Sequence, residues 1–75
     1  MIDDTLCKVA FGQFIRRGRE FQHLYQSQVA EQLGVSQQYY SKIESGHRNV
    51  DFVQALKICQ ILHLDLSDFI KEQMK

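Results

Sequence analysis

With 75 residues, nine Lys and Arg against nine Asp and Glu, and a formal charge of zero, the chain is neither a basic nucleic-acid coat nor an acidic disordered tail. Its length allows one small domain, residues 1–75, with a marginal core, because a chain of roughly 60 residues buries only about 60% of its unfolded surface. That favours help from a second subunit and disfavours a wide active-site cleft, while 44% hydrophobic and 24% charged residues describe an ordinary soluble globule.

The absence of proline and the presence of only four glycines (Gly12, Gly18, Gly34, Gly46) leave long windows for helix and predict an all-α domain of five helices. The first spans Leu6 to Glu20, with Phe11, Ile15 and Gly18 on one face and Arg16, Arg17 and Arg19 turned mostly elsewhere. The second runs from Gln26 to Leu33 with Val29, Ala30 and Leu33 inward, and Gly34 supplies the positive φ that ends it. Ser36 caps a third helix that continues to Ser45 and closes at Gly46. Asp51 caps a fourth, in which Ala55, Ile58, Cys59 and Leu62 repeat at i, i+3, i+4, i+7 as a core stripe. The fifth starts at Asp65, carries Asp68 where negative charge meets the helix dipole, and has an apolar side of Leu66, Phe69, Ile70 and Met74.

Cys7 and Cys59 form no CxxC pair and have no histidine at ligand spacing, so they read as small hydrophobes in a reducing compartment. His23, His47 and His63 fall in three separate turns without a carboxylate or thiol at ligand spacing, which predicts no metal site. Nucleophile triads, Gly-rich phosphate loops and paired carboxylates are missing as well, and the expectation is a protein without cofactor that is not an enzyme. The acidic start, Met1-Ile-Asp-Asp, is unlike a signal peptide, and no run approaches the ~18 apolar residues of a membrane span. A cytoplasmic protein without a membrane partner is expected.

The stretch from Gln26 to Gly46 sets a short helix, a turn with Gly34 and Val35, and a second helix in succession, which is a helix-turn-helix arrangement over about 26–45. Val35, Tyr40 and Ile43 point to the core, leaving Gln37, Gln38, Ser41, Lys42 and Ser45 opposite. A helical face of amides, hydroxyls and one lysine suits the donor and acceptor edges of a DNA major groove. Glutamine bonds bidentately to adenine N6 and N7, each good pair giving roughly 1–3 kcal/mol of discrimination.

This stretch and its flanks resemble the phage repressor and Cro family of helix-turn-helix regulators, also called the XRE family. The resemblance is carried by Ile15-Arg-x-x-Arg-Glu20 in the first helix, Gln26-x-x-Val-Ala-x-x-Leu-Gly-Val-Ser36 in the second helix and turn, and Tyr39-x-Ser-Lys-Ile-Glu-x-Gly46 in the recognition helix. Arg48-Asn49 and Ala55-x-x-Ile-Cys-x-x-Leu62 extend it, so that it covers about residues 6–72. It implies a lambda-repressor-like fold in which Gln37, Gln38, Ser41 and Lys42 read bases, the adjacent glutamines being similar to those of certain lambdoid repressors. Gln26 would meet a phosphate and support Gln37. Tyr39 and the loop of His47, Arg48 and Asn49 would contact the backbone, with Arg16 and Arg17 as phosphate neighbours and protonated His47 adding affinity. Arg19 and Glu44 would form the partly buried pair joining the first helix to the third.

The departures are informative. Tyr25 stands at the usual Ser or Thr cap of the second helix, a loss of about 1 kcal/mol unless Gln28 compensates. His23 stands where a glycine usually closes the first helix, and Val50 replaces a proline. Gly18 and Tyr40 occupy positions where Leu and Ile are common, and the phenol ring is expected to fill part of the space over Gly18.

Val53, Leu56, Ile61, Leu64, Leu66, Phe69 and Ile70 exceed what one small core can hide, which predicts an isologous dimer through the fourth and fifth helices, about residues 51–74. Two recognition helices about one DNA turn, ~34 Å, apart would select a pseudo-palindromic operator. The partners expected are a double-stranded DNA operator and a second copy of the chain, with RNA polymerase or a partner protein left open. The small size and the Arg48-Asn49-Val50 loop make the chain similar to restriction-modification controller proteins; a phage or plasmid repressor is the near alternative, and an antitoxin-like interaction module the one from a different class. The neutral total is itself an average: from Arg16 to Arg48 five basic residues face three acidic ones, and outside that segment four basic residues face six acidic ones.

Overall fold

Each helix of this chain begins or ends on residues that satisfy its free backbone groups. The computed structural model describes residues 4–74, with side chains from Cys7 onward; Met1 to Asp3 and Lys75 of the sequence-based domain lie outside the described residues. The helices are α1 (Asp4–Phe21), α2 (Gln26–Leu33), α3 (Gln37–Glu44), α4 (Phe52–Ile61) and α5 (Leu66–Gln73). Among the described residues there is no strand, and α1 starts two residues before the expected Leu6.

One device ends four of the helices. At His23, Gly34, Gly46 and His63 the chain turns through positive φ, 59°, 81°, 81° and 55°. The following amide returns five residues in each case: Leu24 to Arg19 O, Val35 to Ala30 O, His47 to Lys42 O and Leu64 to Cys59 O. These are Schellman closures, in which glycine is usual because other residues bear a Cβ penalty. At the N-termini, Ser36 Oγ accepts from Tyr39 N at 3.1 Å, Asp51 Oδ1 from Gln54 N at 2.7 Å, and Asp65 Oδ1 from Ser67 N at 2.9 Å. Tyr25 offers α2 no acceptor, but Gln28 Oε1 reaches back to accept from Tyr25 N at 2.7 Å, supplying half of a capping box.

The core is built on Ile15, Val29, Tyr40, Ile43, Ile58 and Leu62, all fully buried. Gly12 lets α1 and α3 meet main chain to main chain: a Cβ there would lie 2.2 Å from Glu44 O and 2.8 Å from Ile43 O. At one end α5 inserts Phe69 between Phe11 and Phe14, edge-on to Phe11 at 5.3 Å and 80° and 5.5 Å from Phe14.

Phe69 is therefore corrected from dimer candidate to core residue, 7% exposed. The reason is Phe14, which widens the apolar face of α1 beyond Phe11 and Ile15 and gives α5 an aromatic seat. Ile61, Leu64 and Leu66 are partly buried and pack against the same core. Leu64 also corrects the expectation for Gly18: its side chain, not the Tyr40 ring, covers that position, with Cδ1 2.6 Å from where a Cβ would stand. Val53 at 59%, Leu56 at 38% and Ile70 at 48% stay exposed, and Phe52 at 67% and Met74 at 75% join them.

Candidate nucleic-acid interface

Local rules aim α3. Gly34 closes α2, Val35 tucks partly into the core, and Ser36 restarts the helix two residues later. Burial of Tyr40 and Ile43 then fixes the rotation of α3, so Gln37, Gln38 and Lys42 are exposed and Ser41 is half-buried. These four side chains and Gln26 from the first turn of α2 line one shallow polar groove. It is open to solvent and bears amides, a hydroxyl and an ammonium, with no carboxylate among its lining residues.

The groove is backed by one buried ion pair. Arg19 Nε donates to Glu44 Oε2 at 2.7 Å and Nη2 to Glu44 Oε1 at 3.1 Å, a bidentate fork. Arg19 Nη1 donates to Leu24 O at 2.8 Å, and Gln26 Nε2 donates to Glu44 Oε1 at 3.1 Å. One guanidinium and one carboxylate thus tie α1, the α1–α2 turn, α2 and α3 together. Burial pushes the Glu44 carboxyl upward, but the adjoining Arg19, Tyr40 and Gln26 side chains outweigh it and hold the group below its usual range; the bond to Glu44 raises Arg19. Beside them the Tyr40 hydroxyl is buried without a hydrogen-bond partner, and burial, followed by the Glu44 carboxylate, lifts it above the usual phenol range.

The expected contact residues separate into groups. Gln26 borders the groove, but its amide is engaged by Glu44 and not by Gln37, because a buried carboxylate oxygen is a stronger acceptor than a neutral amide. Arg16 lies on the surface of α1, paired with Glu20 at 3.3 Å. Arg17 is not brought to the α3 side. Two residues from Arg19, it lies on nearly the opposite side of α1 and pairs with Glu72 of α5 at 3.4 Å.

After α3 the chain forms a second polar cluster. The Arg48 guanidinium lies over the Tyr39 ring, 4.2 Å from its centroid, and holds the Tyr39 hydroxyl below the usual phenol range. That hydroxyl donates to Gln54 Oε1 at 3.3 Å. Ser45 Oγ donates to Lys42 O at 3.1 Å and lies 2.8 Å from His47 Nδ1. Asn49 is exposed beside Arg48. Gln54 was not legible as a site residue, since its partner is fifteen residues away on another helix. Among the described residues no three His, Cys, Asp or Glu side chains cluster for a metal, and no helix is long and apolar enough to cross a membrane.

A family model described as Helix-turn-helix matches residues 15–69, well over half of the chain. The chain belongs to this helix-turn-helix family. Its members of the XRE type include the relatives to which it is similar. The control protein C.MunI from a Mycoplasma species is 36% identical over 66 residues, 87% of this chain and 89% of that protein. The crystal structure of the restriction-modification controller protein C.AhdI from Aeromonas hydrophila is 31% identical with a TM-score of 0.80, covering 91% of this chain and 99% of that one. The clp gene regulator ClgR from C. glutamicum is 25% identical with a TM-score of 0.82, covering 91% of this chain and 88% of that one. The helix-turn-helix assignment spans Ile15 to Phe69, and so takes in the polar groove, its buried ion pair and the Arg48 cluster.

Proposed function

We propose that this helix-turn-helix protein is a sequence-specific, double-stranded DNA-binding transcriptional regulator that acts as a homodimer on a pseudo-palindromic operator. The observation that carries the reading is the groove of Gln26, Gln37, Gln38, Ser41 and Lys42, which presents base-reading side chains on an exposed helix held from behind by Arg19 and Glu44. Gln37 and Gln38 begin α3, the end of a recognition helix that meets base edges, and their amides match adenine N6 and N7. Lys42 adds a point charge or a guanine contact. Arg48, Asn49 and His47 supply phosphate contacts from the following loop.

The dimer rests on exposed apolar side chains of α4 and α5. Val53 and Leu56 of α4 and Ile70 of α5, with Phe52 and Met74, remain unburied in the protomer, and a second copy of the chain would cover them. Pairing these faces by a two-fold axis would set two recognition helices about one DNA turn, ~34 Å, apart. Similarity to C.MunI and C.AhdI favours a restriction-modification controller as the regulatory setting.

Selection of bound sequences from random duplex DNA tests binding, half-site spacing and base reading together. The expected product is an inverted repeat, and Gln37→Ala should relax selectivity at one base pair of each half-site. Equal weakening by Gln37→Ala across all sequences would exclude direct readout by that residue.

A further inference from the structure

We propose that Tyr39 and Gln54 are positioning residues for Arg48, holding its guanidinium where it meets a phosphate of the bound duplex. The proposal rests on the reading of the loop after α3 as a backbone-contacting segment. In the ion pairs of the described residues, Arg16, Arg17 and Arg19 are each matched to a carboxylate. Arg48 is held differently, its guanidinium carbon lying over the Tyr39 ring, 4.2 Å from the centroid.

The difference has a chemical consequence. A carboxylate occupies the guanidinium's N–H edge and cancels its charge, whereas a stacked ring takes only its face. Arg48 is in none of these carboxylate pairs and keeps its full positive charge, as recognition of a phosphate by a guanidinium requires. Stacking also restricts a long side chain before the ligand arrives, so less freedom is lost on binding.

The platform is itself anchored at both ends. Tyr39 N is bonded to the Ser36 cap at the start of α3, and its hydroxyl donates to Gln54 Oε1 in the first turn of α4. Gln54 N is in turn fixed by the Asp51 cap at 2.7 Å. Three consecutive segments, α3, the loop and α4, therefore set the place of one cation. Gln54 shares α4 with the exposed apolar residues Phe52, Val53 and Leu56, so the phosphate contact is built onto the same helix that carries the proposed dimer face.

The test is a double-mutant cycle on the duplex recovered by selection, read as Kd at several salt concentrations, with melting temperature as the check on folding. Arg48→Ala should lower the slope of log K against log salt by about one per subunit. Tyr39→Leu should weaken binding about two- to fivefold per subunit through loss of the stack, and lower the slope with it. In the Arg48→Ala background the same change should have no further effect.

Tyr39→Phe and Gln54→Leu each break only the hydroxyl–amide bond. Both should weaken binding in the presence of Arg48 and leave the Arg48→Ala protein unchanged. These two variants carry the test should Tyr39→Leu fail to fold. Additive losses, or full affinity in both Tyr39→Phe and Gln54→Leu, overturn the positioning role, additivity indicating that Tyr39 touches DNA on its own account. A wild-type chain that retains no duplex overturns the DNA-binding reading and this proposal with it; a wild type that binds while losses add overturns the positioning alone.

Discussion

Replacing Gly12 by alanine should loosen α3 from α1 behind it, although alanine is the better helix former. A Cβ at position 12 would lie 2.2 Å from Glu44 O, 2.7 Å from Glu44 C and 2.8 Å from Ile43 O, where ordinary contact begins at 3.4 Å. All three obstacles are main chain of α3 and cannot rotate away, so the two helices must separate by more than an ångström. Propensity returns about 0.5–1 kcal/mol, while overpacking a core contact costs about 1–3 kcal/mol and occasionally more. The expected net loss is about 1–2 kcal/mol, a fall in Tm of roughly 5–15 °C for a chain of this size.

Gly18→Ala provides the control within the same helix, with the same gain in propensity. Its nearest neighbours are the Leu64 side-chain tips at 2.6–3.0 Å, which can turn aside, so its stability should change by no more than about 0.5 kcal/mol. Urea unfolding followed by circular dichroism, with all proteins at one concentration so that association does not intrude, measures the contrast. A Gly12→Ala protein as stable as wild type or as Gly18→Ala would refute the close approach of α1 and α3.

Other expectations follow from the same packing. Tyr40→Phe removes a buried hydroxyl without a partner and should leave stability unchanged or raise it by up to about 1 kcal/mol; a loss of that size in chemical denaturation would mean the hydroxyl is bonded after all. Glu44 is held below its usual carboxylate range, so the stability it contributes is present above the ordinary pKa of 4.5 and drains away as pH falls through the lower folded value. Glu44→Gln should flatten this acid limb of the stability profile and, by stranding Arg19, cost about 3 kcal/mol at neutral pH; an unchanged acid limb would show that Glu44 does not govern it. Val53→Glu and Leu56→Glu, at exposed sites, should yield folded monomers with much weaker DNA binding, whereas Phe69→Glu should unfold the protomer itself. Sedimentation together with circular dichroism distinguishes the two outcomes, and a folded Phe69→Glu monomer would return that residue to the interface.

The helices and their ends were legible because they depend on neighbours in sequence. Ser36, Asp51 and Asp65 act within three residues of themselves, and Gly34 and Gly46 reverse the chain by a backbone angle open to them wherever they occur. The 3.6-residue period that buries Tyr40 and Ile43 also leaves Gln37, Gln38 and Lys42 outside, so the exposed polar face of α3 followed without knowledge of its neighbours. His23 shows the limit of that logic. Its place suggested a missing glycine, yet the chain adopts positive φ there regardless, since the Schellman bonds and the packing of α2 require the turn.

The remaining assignments turn on which helices meet and at what depth. Phe69 and Ile70 are adjacent apolar residues of one helix, and only the aromatic seat offered by Phe11 and Phe14 makes the first a core residue and leaves the second exposed. Arg17 and Arg19 are two residues apart on nearly opposite sides of α1, and the packing of α5 and α3 beside that helix gives one Glu72 and the other Glu44 as partner. The sequence by itself determined the five helices, their caps and the polar face of α3, because those arise from hydrogen bonds and periodicity within a few residues. Only the tertiary structure decided the partners of Gly12, Gly18, Gln26, Tyr39 and Phe69, because close contacts between distant segments depend on helix positions fixed to within about an ångström by packing of the whole core.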